Sequence, residues 1–535
     1  MGPAVRAQAA LGNGALHPVR SWGPGLRSVL ARHWLVAVFV LVAVVVRAVA
    51  SVAYWPALEI HADSYDYLRL ADSLVPGSWH SSGYPLFLVP FSITGQLGVV
   101  VVVQHLMGVA MGVIVYAFAL RLGARRWLAA LAALPVLLDG YQVDLEQFIL
   151  AETLTDLLLL GGMAALLWRE EIGVKRAAAA GLLLAAACLT RTAVLPVLVV
   201  AVLYLLVRGP RWRPLLACCA AAAVLLAGYG GWYAANYGHF GYSDYTGIWL
   251  YGRVAPFATC HYHLTPKEAK LCPSQPVGKR SVNPEFWADS QSSPIHALPL
   301  GNRQQQNSLG EQFGIDVIKH QPGAYADAVL SDTWHYFTPG HWQNGDHVDM
   351  TRWVFPPPHF QTYGHGYHIG FATEGFNRDS VRASPVRSLM DPLRTYQSVF
   401  YTPGPLLLAC LIGALVIAVG LVRTGAGRRH ARRAALVLAV SSVLVILVPS
   451  MIAQFSYRYG LPLLVLLPPA GAAAADIGLD ALLARRAYGW RWHRGAESKE
   501  GKASAGTAVQ VGAASPAGHG LGPGQPAAPN GDGAH

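Results

Sequence analysis

The chain has 535 residues, of which 53% are hydrophobic and only 13% are charged, and its mean hydropathy is +0.35. This composition excludes an ordinary soluble globular protein of this length and predicts a protein embedded in a lipid bilayer. The formal net charge is +11, but the basic residues lie in short segments between apolar runs, so we expect no nucleic-acid partner.

Apolar runs recur along the chain and predict about ten transmembrane helices, because about 20 apolar residues suffice to cross the hydrocarbon core. In chain order they are residues 34–54, 99–120, 128–138, 148–168, 177–207 (counted as two short helices), 215–235, 405–422, 434–451 and 461–475. The runs are apolar on every face, which favours helices over a membrane β-barrel. We therefore predict an all-α polytopic membrane protein with a mixed extracytoplasmic loop domain.

The apolar runs divide the chain into successive segments. These are a cytoplasmic N-terminal segment (1–33), an N-terminal transmembrane module (34–235) with its first external loop at 55–84, an extracytoplasmic insert (236–402), C-terminal transmembrane helices (403–480) and a cytoplasmic tail (481–535). The first run is too long for the core of a cleaved signal peptide and is predicted to be a retained span. The tail is rich in Gly, Ala, Pro and Ser and is predicted to be largely disordered.

Basic residues occupy every second loop of this arrangement. They cluster at 121–126, 169–176, 208–213 and 423–433, whereas the intervening loops carry almost none. Because cytoplasmic loops of membrane proteins are enriched in Lys and Arg, both termini are predicted to face the cytoplasm. We predict a multi-pass protein of the plasma membrane.

The first external loop contains acidic and aromatic residues at helical spacing. Asp63, Asp66 and Tyr67 would lie on one face of a short helix near the membrane surface. Spacing alone leaves two interpretations open. Asp63 and Asp66 are functional carboxylates, or they cap the helix while Arg69 pairs with Asp66 or Asp72.

Charged residues also interrupt the apolar runs, where a charge is costly and usually faces a cavity or a partner. Glu152 lies just inside the fourth run, and Arg191 breaks the run that follows. They are either substrate contacts or the two halves of a buried ion pair. Arg458, in the last external loop, is either a substrate contact, or a side chain that snorkels or forms an interhelical ion pair. Three acidic residues of one external turn are expected to be solvated: Asp139, Asp144 and Glu146.

The insert is rich in His, Tyr, Trp and Pro, and its clearest helical pattern lies at 312–333. Histidines and aspartates crowd its second half: His335, His341, His347, His359, His365, His368, Asp346 and Asp349. Their spacing follows no known ligand template, so a metal site stays an alternative to a sugar- or peptide-binding surface. Four aromatic residues are candidates for stacking on a glycan or for the insert's own core: Trp334, Tyr336, Trp342 and Trp353.

Six cysteines are distributed between the apolar runs and the insert. Cys260 and Cys272 lie in the insert, on the oxidising side of the predicted topology, where their spacing permits a local disulfide. The other four lie in apolar runs and are expected to be small buried side chains: Cys188, Cys218, Cys219 and Cys410.

A set of short motifs resembles the GT-C membrane glycosyltransferases, which include the protein O-mannosyltransferases and the bacterial lipid A aminoarabinose transferases. The motifs are Asp63-x-x-x-Tyr67-x-x-x-Ala71, Gly83-Tyr84-Pro85, Ala151-Glu152, Leu189-Thr190-Arg191, and Tyr457-Arg458-Tyr459 followed by Leu461-Pro462. Each motif is weak alone, but their order and predicted topology also match. The resemblance covers most of the membrane part.

The resemblance implies a GT-C-like fold and an inverting transfer of a sugar from a polyprenyl-phosphate carrier to an extracytoplasmic glycan, lipid or protein acceptor, beside membrane lipids. It assigns Asp63 as the general base. Asp66 is the second catalytic candidate, because a neighbouring carboxylate can hold the acceptor, bind a metal or raise the pKa of its partner. The substrate-binding candidates are Tyr67, His80, Tyr84, Glu152, Arg191 and Arg458. No cofactor is assigned, and a divalent metal ion stays an alternative.

One departure from the family bears on donor binding. Where the family typically has His-Pro-Pro or Lys-Pro-Pro, this chain has His80-Ser-Ser-Gly-Tyr-Pro85. The contact to the donor phosphate would therefore fall to Arg191 or Arg458. The rival function is a transporter or flippase of lipid-linked envelope intermediates, since the broken helix at Arg191 resembles interrupted transporter helices. A non-catalytic scaffold for envelope assembly is a third hypothesis.

Overall fold

The computed structural model describes residues 28–29, 31–60, 63–209, 212–299, 301–340, 353–358, 367–369, 376, 384–422 and 428–483. Most of the predicted segments 1–33 and 481–535 therefore lie outside the described residues. Residues 1–478 group into one compact unit and residues 479–535 into a second. The candidate site lies within the first unit.

The N-terminal half is a succession of apolar helices. Its elements, which include one short strand and the polar helices α2 and α6, are α1 (Trp34–Ala53), β1 (Leu58–Ile60), α2 (Asp63–Ser73), α3 (Gly83–Ser92), α4 (Leu97–Arg121), α5 (Arg126–Leu138), α6 (Gly140–Gln147), α7 (Glu152–Leu167), α8 (Val174–Thr190), α9 (Leu195–Val207) and α10 (Trp212–Tyr237). Helix α8 packs against both α7 and α10. Helix α2 begins at Asp63, as its sequence pattern predicts.

The insert and the C-terminal helices complete the fold. They comprise α11 (Thr246–Val254), α12 (Pro284–Asp289), α13 (Pro294–Ala297), α14 (Arg303–His320), α15 (Pro322–His335), β2 (Tyr367–Ile369), α16 (Met390–Val399), α17 (Gly404–Ala418), α18 (Arg429–Ile452) and α19 (Tyr457–Leu483), which opens with a 3-10 turn. The helical pattern predicted at 312–333 is two helices, because Pro322 starts a new one. Strand β2 pairs antiparallel with β1 and so joins the insert to the first external loop.

The helices have the length and composition of a polytopic membrane protein. In the described residues, five are individually long and apolar enough to cross a membrane: α1, α4, α10, α18 and α19. The count rises to seven if two bent pairs, α5 with α6 and the 387–399 segment with α17, each cross as one span. The predicted spans at 148–168 and 177–207 are also helical, but α7, α8 and α9 are shorter than these. The count of about ten stays a prediction.

The helix break at Arg191 has a local cause. Thr190 ends α8, and Arg191 has extended backbone angles (φ −148°, ψ 116°) before a 3-10 turn at Thr192–Val194. Pro196 then lies in the first turn of α9, where its missing N–H is not required. The predicted interruption of this run is present, and it turns the Arg191 side chain out of the apolar helix surface.

The acidic turn at 139–147 is buried, which corrects the expectation that it is solvated. Helix α6 bends by 43° from α5 and lies among α1, α4 and α16. Asp139 caps α6 by accepting from the backbone N–H groups of Tyr141 and Gln142, and it also accepts from Thr402. Asp144 and Glu146 are fully buried. The bend, which hydropathy alone does not reveal, folds these carboxylates inward.

The insert has a hydrophobic core of its own where α11 crosses α14. Ile248 and Tyr251 lie on one face of α11 and pack with Phe313 of α14. The crossing is close because of glycines: a Cβ on Gly310 would lie 2.6 Å from the carbonyl oxygen of Gly247. Cys260 and Cys272 form a disulfide bond that packs against this core.

Candidate functional site

A cavity of about 350 Å³ lies where four parts of the chain meet. Its walls come from the first external loop, the break between α8 and α9, the junction of α18 with α19, and the insert. Five predicted site residues line it: Asp63, Tyr67, His80, Arg191 and Arg458. The tertiary structure therefore brings together side chains that are up to 395 positions apart in the sequence.

The central contact joins Asp63 to Arg458. Asp63 opens α2, and Arg458 lies in the 3-10 turn that opens α19. The Arg458 Nη1 atom donates to the Asp63 Oδ2 atom at 2.5 Å, and only 15% and 13% of the two side chains are exposed. A charge pair that is so little exposed is held in place by its partners, because either charge alone would be costly to bury.

A second ion pair extends this contact into a chain of alternating charges. Arg191 donates to Glu152 Oε1, which also lies 3.5 Å from Arg458 Nη1. Glu152 is the first residue of α7 and lines a smaller pocket of about 20 Å³, which shares Arg191, Arg458 and Tyr459 with the main cavity. The ion pair between Glu152 and Arg191, one of the two interpretations left open by the sequence, is thus present at the wall of a cavity.

Aromatic rings hold both guanidinium groups. Arg191 lies 4.5 Å from the ring centroid of Tyr459, and Arg458 lies between Trp353 and Tyr459 at 4.9 and 5.1 Å. Cation–π contacts of this kind restrict the planar guanidinium without neutralising it. Both arginines therefore keep their positive charge at the cavity wall.

His80 connects the two aspartates of the first loop. Its Nδ1 lies 3.1 Å from Asp66 Oδ2, and its Nε2 lies 3.5 Å from Asp63 Oδ1. Burial disfavours the charged imidazole, but both carboxylates outweigh burial and raise the pKa of His80 to about 9. His80 is therefore protonated at neutral pH. Three cations, His80, Arg191 and Arg458, then face the two carboxylates Asp63 and Glu152.

The same contacts act on the aspartates. Burial tends to raise the pKa of Asp63, but Arg458 and His80 outweigh it and hold the pKa well below its usual range. The pKa of Asp66 is lowered too, because His80 and Arg69 outweigh burial, and Arg69 Nη2 lies 2.7 Å from Asp66 Oδ1. Asp63 is therefore an ionised carboxylate and, in this arrangement, a weak base.

Three of the predicted residues do not line the cavity: Glu152, which lines the smaller pocket, and Asp66 and Tyr84, which lie behind the wall. Asp66 contacts it only through His80. Tyr84 is fully buried behind Tyr67, with ring centroids 5.1 Å apart, and its hydroxyl donates to Gln104 Oε1 at 2.7 Å. Asp66 and Tyr84 support His80 and Tyr67, which do reach the cavity.

The insert contributes cavity residues that the sequence did not single out. They are Tyr245, Trp249, Glu285 and Asp289, and Trp79 of the first loop joins them. Trp79 stacks on His80 with centroids 4.8 Å apart, and its position beside His80 was the one signal available in the sequence. The insert residues had no local signal, because only packing brings α11 and α12 to this wall.

The aromatic and metal-binding candidates of the insert lie in different places in the structure. Trp353 lines the cavity, Tyr336 lines a different pocket, and Trp334 is 55% exposed. Trp342 and most of the crowded polar residues lie outside the described residues: His341, His347, His359, His365, Asp346 and Asp349. Of His368, which lies in β2, only the backbone is described. In the described part of the chain, no group of three or more His, Cys, Asp or Glu side chains is arranged to hold a metal ion.

Comparisons with known proteins give little further information. No family model and no curated protein sequence matches the chain. Among solved structures, the apo structure of ArnT from Cupriavidus metallidurans is similar over 84% of this chain and 78% of that one, with 14% sequence identity and a TM-score of 0.30. A similarity at this level carries no argument about function, which has to come from the cavity itself.

Proposed function

We propose that the chain is a membrane glycosyltransferase of the GT-C type. It moves a sugar, with inversion, from a polyprenyl-phosphate carrier to an acceptor hydroxyl on the extracytoplasmic side of the plasma membrane. The observation that carries the proposal is the pairing of Asp63 with Arg458 on the wall of a cavity that also contains Arg191 and His80. This set combines an ionised carboxylate with cations suited to a lipid phosphate.

The arginines supply the phosphate-binding half of the proposal. A guanidinium group presents paired donors that match phosphate oxygens. Arg458 Nε is buried and has no hydrogen-bond partner among the described residues, so a donor is left over for a ligand. Arg191 and Arg458 would hold the phosphate and stabilise the negative charge that develops on it as the glycosidic bond breaks.

Asp63 supplies the proton-accepting half. As the acceptor oxygen bonds to the anomeric carbon, the C–O bond to the phosphate breaks, the phosphate leaves with the electron pair, and the acceptor's proton passes to Asp63. A phosphate that engages Arg458 would weaken its hold on the carboxylate. The pKa of Asp63 would then rise, so donor binding would convert a weak base into a stronger one.

The experiment compares two aspartates of the same helix. Asp63→Asn removes the proposed base, whereas Asp72→Asn changes an exposed position of α2 that does not line the cavity. Both proteins are placed in lipid nanodiscs with a panel of radiolabelled polyprenyl-phosphate hexoses and pentoses and total envelope lipid and glycan as acceptor. We expect Asp63→Asn to lose transfer by a factor of about 10² to 10⁴, and Asp72→Asn to retain it.

Transfer by Asp63→Asn at the level of Asp72→Asn would overturn the assignment of the base. A wild-type protein that moves lipid-linked sugars across sealed vesicles without releasing polyprenyl phosphate would instead support the transporter or flippase hypothesis and overturn the proposal.

A further inference from the structure

The segment that connects α18 to α19 lies between the cavity and the insert. We call residues 453–456 the junction segment; Arg458 follows in the 3-10 turn that opens α19. Gln454 lines the cavity, as Arg458 does. Phe455, in contrast, is 3% exposed, and its ring centroid lies 4.6 Å from that of Tyr336. One side of the segment therefore faces the cavity, and the other side contacts the insert.

One face of α15 contacts the junction segment and the end of α18. Tyr325, Asp332 and Tyr336 are spaced by seven and then four positions, which places them on the same side of a helix. The Tyr325 hydroxyl donates to the carbonyl oxygen of Met451 at 3.1 Å, and the Tyr336 hydroxyl accepts from the backbone N–H of Ser456 at 3.4 Å. The insert thus contacts the chain near both ends of the segment.

Asp332 holds the middle of the junction segment. Its Oδ2 atom accepts from the backbone N–H of Phe455 at 3.0 Å, three positions before Arg458. The same oxygen accepts from Arg253 Nη1 of α11 at 2.7 Å, and only 6% of the Arg253 side chain and 13% of the Asp332 side chain are exposed. Hydrogen bonds to a charged acceptor are stronger than those between neutral groups. Two helices of the insert therefore fix the backbone at Phe455.

The junction segment is irregular, so its position depends on such partners. Ala453 and Ser456 bound it with non-helical backbone angles (φ −118°, ψ −106° and φ −145°, ψ 137°). The buried backbone groups of an irregular segment are paired with side chains or with other parts of the chain. At Phe455 the partner is a side chain of the insert. A change at Asp332 would therefore move the segment and, with it, the turn that carries Arg458.

We infer that Asp332, supported by Arg253, is a positioning residue for Arg458, so that the insert sets the place of the cation that meets the donor phosphate. A shift of about 1 Å in a group that contacts the reacting atoms can lower a rate about 10²-fold. The effect on transfer rests on the proposed function, whereas the placement of Arg458 beside Asp63 does not.

The test uses two double variants that differ in one group. The first, Arg253→Met with Asp332→Asn, removes the ion pair but keeps a side-chain oxygen for the N–H of Phe455. The second, Arg253→Met with Asp332→Leu, removes the pair in the same way and removes that oxygen too. Uncharged residues of similar volume often replace a buried ion pair without loss of stability. We therefore expect both proteins to fold.

The first measurement needs no substrate. The full chain is labelled with ¹⁵N-arginine and placed in nanodiscs, and the Nε–H signal of Arg458 is assigned as the one that Arg458→Gln removes. We expect this signal to keep its chemical shift in the first double variant and to move in the second. A signal that stays in place in the second double variant would overturn the positioning role.

Initial-rate kinetics on the same proteins separate positioning from folding. Relative to the first double variant, the second should have a higher KM for the lipid-linked donor and a kcat/KM lower by about 10- to 10²-fold. A loss of folded protein would lower only the apparent kcat, and that result would contradict the positioning role. A moved Arg458 signal in proteins that transfer no sugar would uphold the positioning and overturn the proposed function alone.

A milder variant takes the place of the second double variant if that protein does not fold. Tyr336→Phe removes the hydroxyl that contacts Ser456 and keeps the ring that packs on Phe455. We expect it to fold, to move the Arg458 signal and to raise the KM for the donor, both by less than the second double variant would. An unmoved Arg458 signal in Tyr336→Phe would then overturn the inference.

Discussion

Two clusters of buried charges in the described part of the chain differ in how completely they are paired. The first, which we call the core cluster, consists of Arg47, His105 and Glu146, where α1, α4 and α6 meet. Glu146 Oε2 accepts from Arg47 Nε at 2.7 Å and lies 2.9 Å from His105 Nδ1, while its Oε1 accepts from Arg47 and Gln142. Every oxygen of this carboxylate is satisfied inside the protein.

The second, the cavity cluster, consists of Asp63, Glu152, Arg191 and Arg458. In this cluster Glu152 Oε2 and Arg458 Nε lack hydrogen-bond partners among the described residues. Hydrogen-bond saturation thus distinguishes a structural charge from a functional one in this protein. A saturated cluster away from any cavity stabilises the fold, whereas an unsaturated one at a cavity wall keeps capacity for a ligand.

The largest expected effect tests the structural half of this comparison. Glu146→Ala would leave Arg47 buried and unpaired, which typically costs about 3–5 kcal/mol. We expect a large fall in the thermal unfolding temperature in nanodiscs and little folded protein in membranes. The control is Glu170→Ala, which removes a partner of Arg433 in an exposed pair and should cost less than about 1 kcal/mol. Equal unfolding temperatures for Glu146→Ala and Glu170→Ala would refute the structural role of Glu146.

Arg458→Gln tests the functional half. Asp63 keeps His80 and Glu152 keeps Arg191 in this variant, so we expect it to lower the free energy of unfolding by less than Glu146→Ala does, that is, by less than about 3 kcal/mol. Transfer should fall by about 10²- to 10³-fold, because a cation that stabilises the leaving phosphate is lost. Transfer by Arg458→Lys should lie between that of the wild type and that of Arg458→Gln. Lysine keeps the positive charge but lacks the paired N–H donors of the guanidinium group. If the Arg458→Gln protein did not fold, the cavity cluster would be structural, like the core cluster.

Glu152→Gln is expected to have a smaller effect, which falls mainly on donor binding. Glu152 contacts both Arg191 and Arg458, so removing its charge should let the two guanidinium groups shift. We therefore expect the KM for the lipid-linked donor to rise about tenfold, with a smaller change in kcat. Initial-rate kinetics at varied donor concentration separate the two constants. Glu171→Gln, at an exposed position after α7, is the matched control. A fall in kcat alone would mean that Glu152 takes part in the chemistry.

The smallest expected effect is the pH dependence of the first loop. Because the pKa of His80 rises from 6.5 to about 9 in the folded protein, protonated His80 stabilises the fold fully below about pH 6.5. That contribution, on the order of 1 kcal/mol after screening, is lost as the pH rises through 9. The difference in unfolding temperature between wild type and His80→Gln should shrink from pH 6 to pH 10. A difference in unfolding temperature that stays constant over this pH range would contradict the stabilisation by protonated His80.

The local features of this protein could be predicted from its sequence. Long apolar runs determine α1, α4, α10 and α18, and Arg191 between two threonines marks the break before α9. The spacing of Asp63 and Asp66 predicts α2. Because a charge in an apolar run is costly, the sequence also offers an ion pair between Glu152 and Arg191 as one of two interpretations. Each of these depends on neighbours in the chain, whose hydropathy and helical periodicity are visible in the sequence.

Which charges are structural and which face the cavity depends on the packing of distant helices. Hydropathy placed Glu146 in a solvated turn, but the bend between α5 and α6 buries it against Arg47. Asp63 and Arg458 meet because the fold brings the start of α2 to the start of α19. Asp289 of α12 lines the same cavity because the insert is packed against it. Such contacts depend on how distant helices pack, a property of the whole fold that no local pattern encodes.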